Sequence, residues 1–133
     1  MDFAIRISKE SYATRKQVGA VVVTENSGMF TGFNGTPSGM QNVCECPESG
    51  LTTDRVIHAE MNCFMKMLRE GVSAKGSTVY VTLSPCEGCL SKLYQAGVSR
   101  VVYLDEYKES DHLEDYRKLG MVIQKFDQLI YPA

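Results

Sequence analysis

Nowhere in its 133 residues does the chain carry an apolar run near the roughly 18 residues that a membrane-crossing helix needs. The first dozen residues also lack the apolar centre of a secretory signal, so the expectation is a soluble, cytoplasmic protein without a membrane partner. An excess of positive charge is missing too: 14 Lys and Arg stand against 16 Asp and Glu, for a net charge of -2. Without a positive field there is no counterion-release drive toward a long polyanion. Nucleic acid is therefore not expected as a partner, although a few local cations can still hold one phosphate. Internal repeats and low-complexity tracts are absent. The cysteine count of five (Cys44, Cys46, Cys63, Cys86, Cys89) is odd, which argues against a disulfide framework and leaves metal binding or burial to explain them.

What is present suits one compact domain spanning 1–133, because 44% hydrophobic content at this length can bury a core unaided. Residues 2–14 form a loose helical pattern with apolar positions Phe3, Ile7 and Tyr12. The β-branched run Gly19 to Thr24 predicts a strand buried on both faces. A turn at Asn26, Ser27 and Gly28 returns it as a hairpin arm over 29–33. Residues 34–54, rich in Gly, Pro, Asn and Ser, predict a long functional loop. From His58 to Arg69 a helix is expected, with Met61, Phe64, Met65 and Leu68 as one buried stripe and Gly71 as its end. Thr78 to Leu83 predicts a strand. A helix should follow, with Ser84 as N-cap, Pro85 in first position, Glu87 completing a capping box and Gly97 closing it. Val98 to Leu104 predicts another strand, Asp111 with Glu114 a capped helix, and Met121 to Phe126 a last strand. The alternation implies an α/β fold with helices on both faces of one sheet.

Two short segments stand at helix starts: His58-Ala59-Glu60 and Pro85-Cys86-Glu87-Gly88-Cys89. Cysteines three apart share one face of a helical turn, so Cys86 and Cys89 can reach a single ion. The free N–H groups and dipole at a helix start favour thiolate over thiol. If the two starts converge, His58 becomes a third ligand and the fourth zinc position stays open, the mark of a catalytic rather than a structural site. At such positions water ionises near neutrality, at about pKa 7 against about 15.7 in bulk. Glu60, two residues past His58, is placed to move protons. Taken singly each motif is weak, and Cys-x-x-Cys with one His nearby serves as readily for a structural metal or redox pair. Taken in order, they resemble the zinc deaminase signature.

With these residues in view, the chain resembles the cytidine and deoxycytidylate deaminase superfamily, and within it the deoxycytidylate (dCMP) deaminases, including those of bacteriophages. Beyond the metal motifs, the likeness includes Val18 to Val21, the segment Gly32-Phe33-Asn34-Gly35-Thr36-Pro37-Ser38-Gly39, and Tyr80 to Ser84. The Asn34 segment narrows the choice to dCMP. The resemblance implies a three-layer α/β/α fold with a central mixed sheet of about five strands. It also implies hydrolysis of dCMP to dUMP and ammonia, which supplies dUMP for thymidylate synthesis. Glu60 would protonate N3 and then the leaving amine. The Ser84 carbonyl would accept from the amino group, the Ala59 N–H would hold the base O2, and Asn34 would bond the deoxyribose 3'-hydroxyl. Arg15 and Lys16 are the candidate phosphate cations, with surface solvation as their plain alternative. Tyr107 matches a tyrosine near the nucleotide, with core packing as its alternative.

The resemblance further implies a homo-oligomer, a hexamer, activated by dCTP with Mg2+ and inhibited by dTTP at a site between subunits. Phe33, Asn34, Gly35 and Arg69 are the candidate allosteric or interface residues, Phe33 standing where a tyrosine is usual. Cys44 and Cys46 are too closely spaced for a good second zinc site. Cys63 reads as a small buried apolar residue, and His112, among charges at a helix start, as a solvated side chain. Three rivals remain: a deaminase of cytidine, deoxycytidine or free base, a tRNA adenosine deaminase, and a non-enzymatic zinc-stabilised interaction domain.

Overall fold

A computed structural model describes residues 1–126. The elements follow in the order α1 (Asp2–Ser8), β1 (Gly19–Val23), β2 (Met29–Phe33), α2 (Ala59–Glu70), β3 (Thr78–Leu83), α3 (Glu87–Gln95), β4 (Arg100–Asp105), α4 (His112–Lys118) and β5 (Val122–Lys125). The strands form one mixed sheet in the order β2-β1-β3-β4-β5. β1 runs antiparallel to both β2 and β3, whereas β3, β4 and β5 are parallel. α3 and α4 are the crossovers that parallel neighbours require.

Alternation along β1 assigns the helices to faces. Ala20 and Val22 point into a core with Val79, Val81, Val101 and Ile123 of the neighbouring strands, closed by Ala59, Cys63 and Met67 of α2, Leu90 and Leu93 of α3 and Leu113 of α4. Gly19 points the opposite way, where a Cβ would collide with the Ala4 carbonyl and the Ser8 amide of α1. The sheet is thus sandwiched, α1 on one face and α2 to α4 on the other, as the three-layer expectation requires. No helix among the described residues is long and apolar enough to cross a membrane.

Four local expectations need correction. The first helix stops at Ser8, not Thr14. The close approach to Gly19 turns Ala4 and Ser8 inward, which leaves Phe3 and Tyr12 exposed. In α2 the buried stripe is Ala59, Glu60, Cys63 and Met67, whereas Met65 and Leu68 are 43% and 70% exposed. The helix is phased by its backbone contact with β2, not by its largest apolar side chains. The N-cap of α3 is Cys86 and not Ser84, because the Ser84 hydroxyl is taken by the Tyr107 amide. Asp111 makes no side-chain cap on α4. The long loop is irregular as expected, braced by isolated bridges between Gly35 and Ile57 and between Glu45 and Thr52.

Candidate active site

Both motif-bearing segments sit at helix starts, and the fold brings these starts together. His58 is the N-cap of α2, in extended backbone with no cap bond from its side chain, so the imidazole is free to face α3. Its Nδ1 lies 3.1 Å from Cys89 Sγ and 3.6 Å from Cys86 Sγ. Cys86 Sγ also accepts from the Cys89 amide at 3.4 Å, the helix-start donation that stabilises a thiolate. Among the described residues, His58, Cys86 and Cys89 form one group whose ligand atoms all lie within 4.8 Å of one another.

This donor set suits zinc. A tetrahedral ion bonded at about 2.0 to 2.1 Å to nitrogen and about 2.3 Å to sulfur holds those atoms about 3.5 Å apart, close to the two separations found. One imidazole and two sulfurs are borderline-soft donors of the kind zinc selects. The proton balance agrees. The Cys86 thiol is drawn down to about 3, first by its hydrogen bond with Cys89 and then by that with His58. The bond to Cys86, and burial after it, raise Cys89, and the bond to Cys86 raises His58. A cation can take the place of the protons that this cluster otherwise shares.

Glu60, one helical position beyond Ala59, is 4% exposed. Burial pushes its carboxyl up to about 7, against the opposing pull of its own backbone N–H and of His58. A carboxyl poised there can both take and give protons at neutral pH.

His58, Glu60 and Cys86 open onto a cavity of about 450 Å³. Every residue proposed for substrate contact lines it: Arg15, Lys16, Asn34, Ala59, Ser84 and Tyr107. The Asn34 amide is already engaged on both sides, accepting from Val18 N–H at 2.9 Å and donating to the Lys16 carbonyl at 2.8 Å. One amide proton and one acceptor lone pair are left over. Arg69 does not share the cavity. It borders a separate depression with Phe30, Lys66, Glu70 and Val72 at the far end of α2. Phe33 and Gly35 adjoin Asn34 without lining the cavity.

Sequence reasoning missed several residues. Glu106, Lys108 and Glu109 line the cavity, and the rule that α/β sheets bind ligands beyond the carboxyl ends of their strands could have found them past β4. Glu45 left no such signal. Its carboxylate accepts from Thr14 N, Thr14 Oγ1 and Arg15 N at 2.9 to 3.3 Å. It therefore ties the long loop to the segment that carries Arg15 and Lys16. His112 is not simply solvated: its Nε2 donates to the Pro85 carbonyl at 2.8 Å.

A mixed five-strand sheet whose helix starts unite one imidazole, two thiols and a buried carboxyl over a nucleotide-sized cavity defines a metal-dependent deaminase of nucleobases. The chain belongs to the cytidine and deoxycytidylate deaminase family, whose zinc-binding region model matches residues 1–105. It is similar to the deoxycytidylate deaminase of Mycobacterium phage D29, 34% identical over 80% of this chain and 91% of that one. With the deoxycytidylate deaminase of Homo sapiens it shares 33% identity over 95% of this chain and 76% of that one. The crystal structure of dCMP deaminase from cyanophage S-TIM5 in complex with dCMP and dUMP superimposes with a TM-score of 0.87. It is 38% identical and covers 94% of this chain and 92% of that one.

Proposed function

We propose that this protein, as a single deaminase domain, hydrolyses dCMP to dUMP and ammonia. The observation that carries the reading is the placement of Glu60 in one cavity with His58 and Cys86 at one end and Asn34, Arg15 and Lys16 around it. The relatives named above support the choice of nucleotide.

His58, Cys86 and Cys89 are the residues to hold zinc. When bound, the ion supplies the Lewis acidity that brings deprotonation of water into the neutral range. Glu60 takes the proton of the attacking water and delivers it to N3 of the cytosine. As oxygen adds at C4, Glu60 relays the second water proton to the departing amine, and the C4–N4 bond breaks to release ammonia. The carboxylate ends as it began, so the sum is dCMP plus water giving dUMP plus ammonia. Burial suits Glu60 to this relay, since a carboxylate near 7 takes up a proton far more readily than one at its ordinary value of 4.5 and can still release it at neutral pH.

Around the base, the Ala59 N–H is the donor for O2, one of the free amides at the first turn of α2. The Ser84 carbonyl accepts from the amino group. Asn34 directs its spare amide proton or lone pair to the 3'-hydroxyl, its orientation set by the bonds to residues 16 and 18. Arg15 and Lys16 hold the phosphate, and Tyr107 flanks the nucleotide.

Incubation of the purified protein with dCMP, CMP, deoxycytidine and cytosine, followed by loss of cytosine absorbance, tests the reading. Turnover of dCMP above the other three is expected. A zinc-loaded protein that turns over none of them is an interaction domain instead. We extend the proposal to a hexamer activated by dCTP with Mg2+, inhibited by dTTP and feeding thymidylate synthesis, with Phe33, Asn34, Gly35 and Arg69 at the control site. A hyperbolic dCMP curve indifferent to both nucleotides would remove that extension.

A further inference from the structure

We infer that His112 is a positioning residue for the zinc ligand Cys86, and that the β4–α4 connection with α4 forms a clasp around the ligand segment. The inference rests on the zinc reading of His58, Cys86 and Cys89, and it concerns residues beyond those the family model matches.

The residues around Cys86 are gripped on both sides. Before it, Ser84 N donates to the Asp105 carbonyl at 2.8 Å, and Ser84 Oγ accepts from the Tyr107 amide at 2.7 Å. At Pro85, the carbonyl accepts from His112 Nε2 at 2.8 Å. After it, Glu87 Oε1 accepts from Tyr116 OH at 3.3 Å, and the Tyr116 ring packs edge-on against Tyr94 of α3, with centroids 5.8 Å apart.

The His112 bond matters most because of where it falls. Pro85 is fully buried and has no N–H, so its carbonyl is the only polar backbone handle at that position. That carbonyl belongs to the rigid peptide plane that ends at the Cys86 Cα. Fixing its direction therefore constrains how Cys86 enters the helix start and the directions open to Sγ. Cys89 lies buried within α3, whereas His58 and Cys86 both sit in extended backbone just before their helices. Cys86 therefore depends on support from outside its helix. Partners one shell out from a metal typically change affinity or activity by about 10 to 100-fold when removed.

The test measures zinc affinity by competition with a chromophoric chelator, independent of catalysis. His112→Leu is expected to weaken zinc binding by about 10 to 100-fold. His112→Gln, whose amide can reach the same carbonyl, is expected to recover most of that loss. Melting curves of the metal-free proteins should differ much less than those of the zinc-loaded ones. His112→Leu with wild-type zinc affinity, or with equal destabilisation in both forms, would overturn the inference. Should His112→Leu fail to fold, Gln against Asn decides, since Asn falls one atom short; equal zinc affinities there overturn it. A wild-type protein that binds no zinc defeats the metal-site reading itself, a result distinct from either.

Discussion

A Cβ placed on Gly32 would lie 2.5 Å from the carbonyl oxygen of Ala59 and 2.9 Å from the amide of Cys63, so β2 and the first turn of α2 meet backbone to backbone. This contact sets the depth and rotation of the helix that begins with His58, Ala59 and Glu60. Gly32→Ala must push α2 outward, and overpacking of this kind costs about 1 to 3 kcal/mol. Turnover should fall more steeply than stability, because an outward shift separates His58 from the thiols. Denaturant melts alongside dCMP assays check this; a variant matching wild type in both would show that the contact is slack.

Glu60→Gln keeps the shape of the side chain and removes its capacity to carry protons. The rate should drop by about 10² to 10⁴-fold, while stoichiometric zinc, read by metal analysis, and dCMP binding, read by calorimetry, persist. Unchanged turnover would end the role assigned to Glu60.

Removal of zinc by a chelator should expose a reactive thiolate. Cys86, drawn down to about 3 in the metal-free cluster, should be alkylated by iodoacetamide at nearly the same rate from pH 8 to pH 6. An ordinary thiol slows by about tenfold per pH unit over that span, as its thiolate fraction falls. Cys63, buried and pushed up to about 12, should stay unlabelled in the folded protein. Zinc should protect Cys86. Mass spectrometry of the labelled peptides decides, and preferential labelling of Cys63 would refute the assignment.

Glu45 predicts a response to acid. Hydrogen bonds, the Thr14 amide foremost, hold its carboxyl below the ordinary 4.5. A depressed folded value means the anchoring is fully present above the unfolded value and is lost as pH falls through the folded one. The amides of Thr14 and Arg15 should therefore exchange faster with solvent below about pH 4.5 than the sheet amides, on the same linkage argument. At neutral pH, Glu45→Ala should raise KM for dCMP and leave kcat nearly unchanged, since it loosens the cation-bearing segment but not Glu60. A kcat defect with normal KM would contradict this.

Much of the fold was legible because it follows from rules of short range. The β-branched run at Gly19 to Val23, the hairpin turn and the glycine stop at Gly71, in left-handed backbone, each follow from the chain within a few residues. The metal group was legible for the same reason: Cys86 and Cys89 share a helical turn, and His58 precedes Glu60 by two. Where reading failed, a distant partner had overridden a local preference. Ser84 had the right chemistry for an N-cap, but the Tyr107 amide, 23 residues away, claimed its hydroxyl. Leu68 and Met65 had the right spacing for a core stripe, but the contact at Gly32 rotated α2 away from them.

From the sequence alone came the strand and helix alternation, the three candidate donors and the carboxyl proposed to carry protons, because periodicity, capping and ligand spacing are properties of neighbouring residues. Tertiary structure alone decided that the two helix starts face each other across 3.1 Å, that Glu45 closes on Thr14, and that His112 holds Pro85. These pairs lie 27 to 31 residues apart. Nothing in either partner's local sequence specifies the other, so only the packing of helices on a common sheet could choose them.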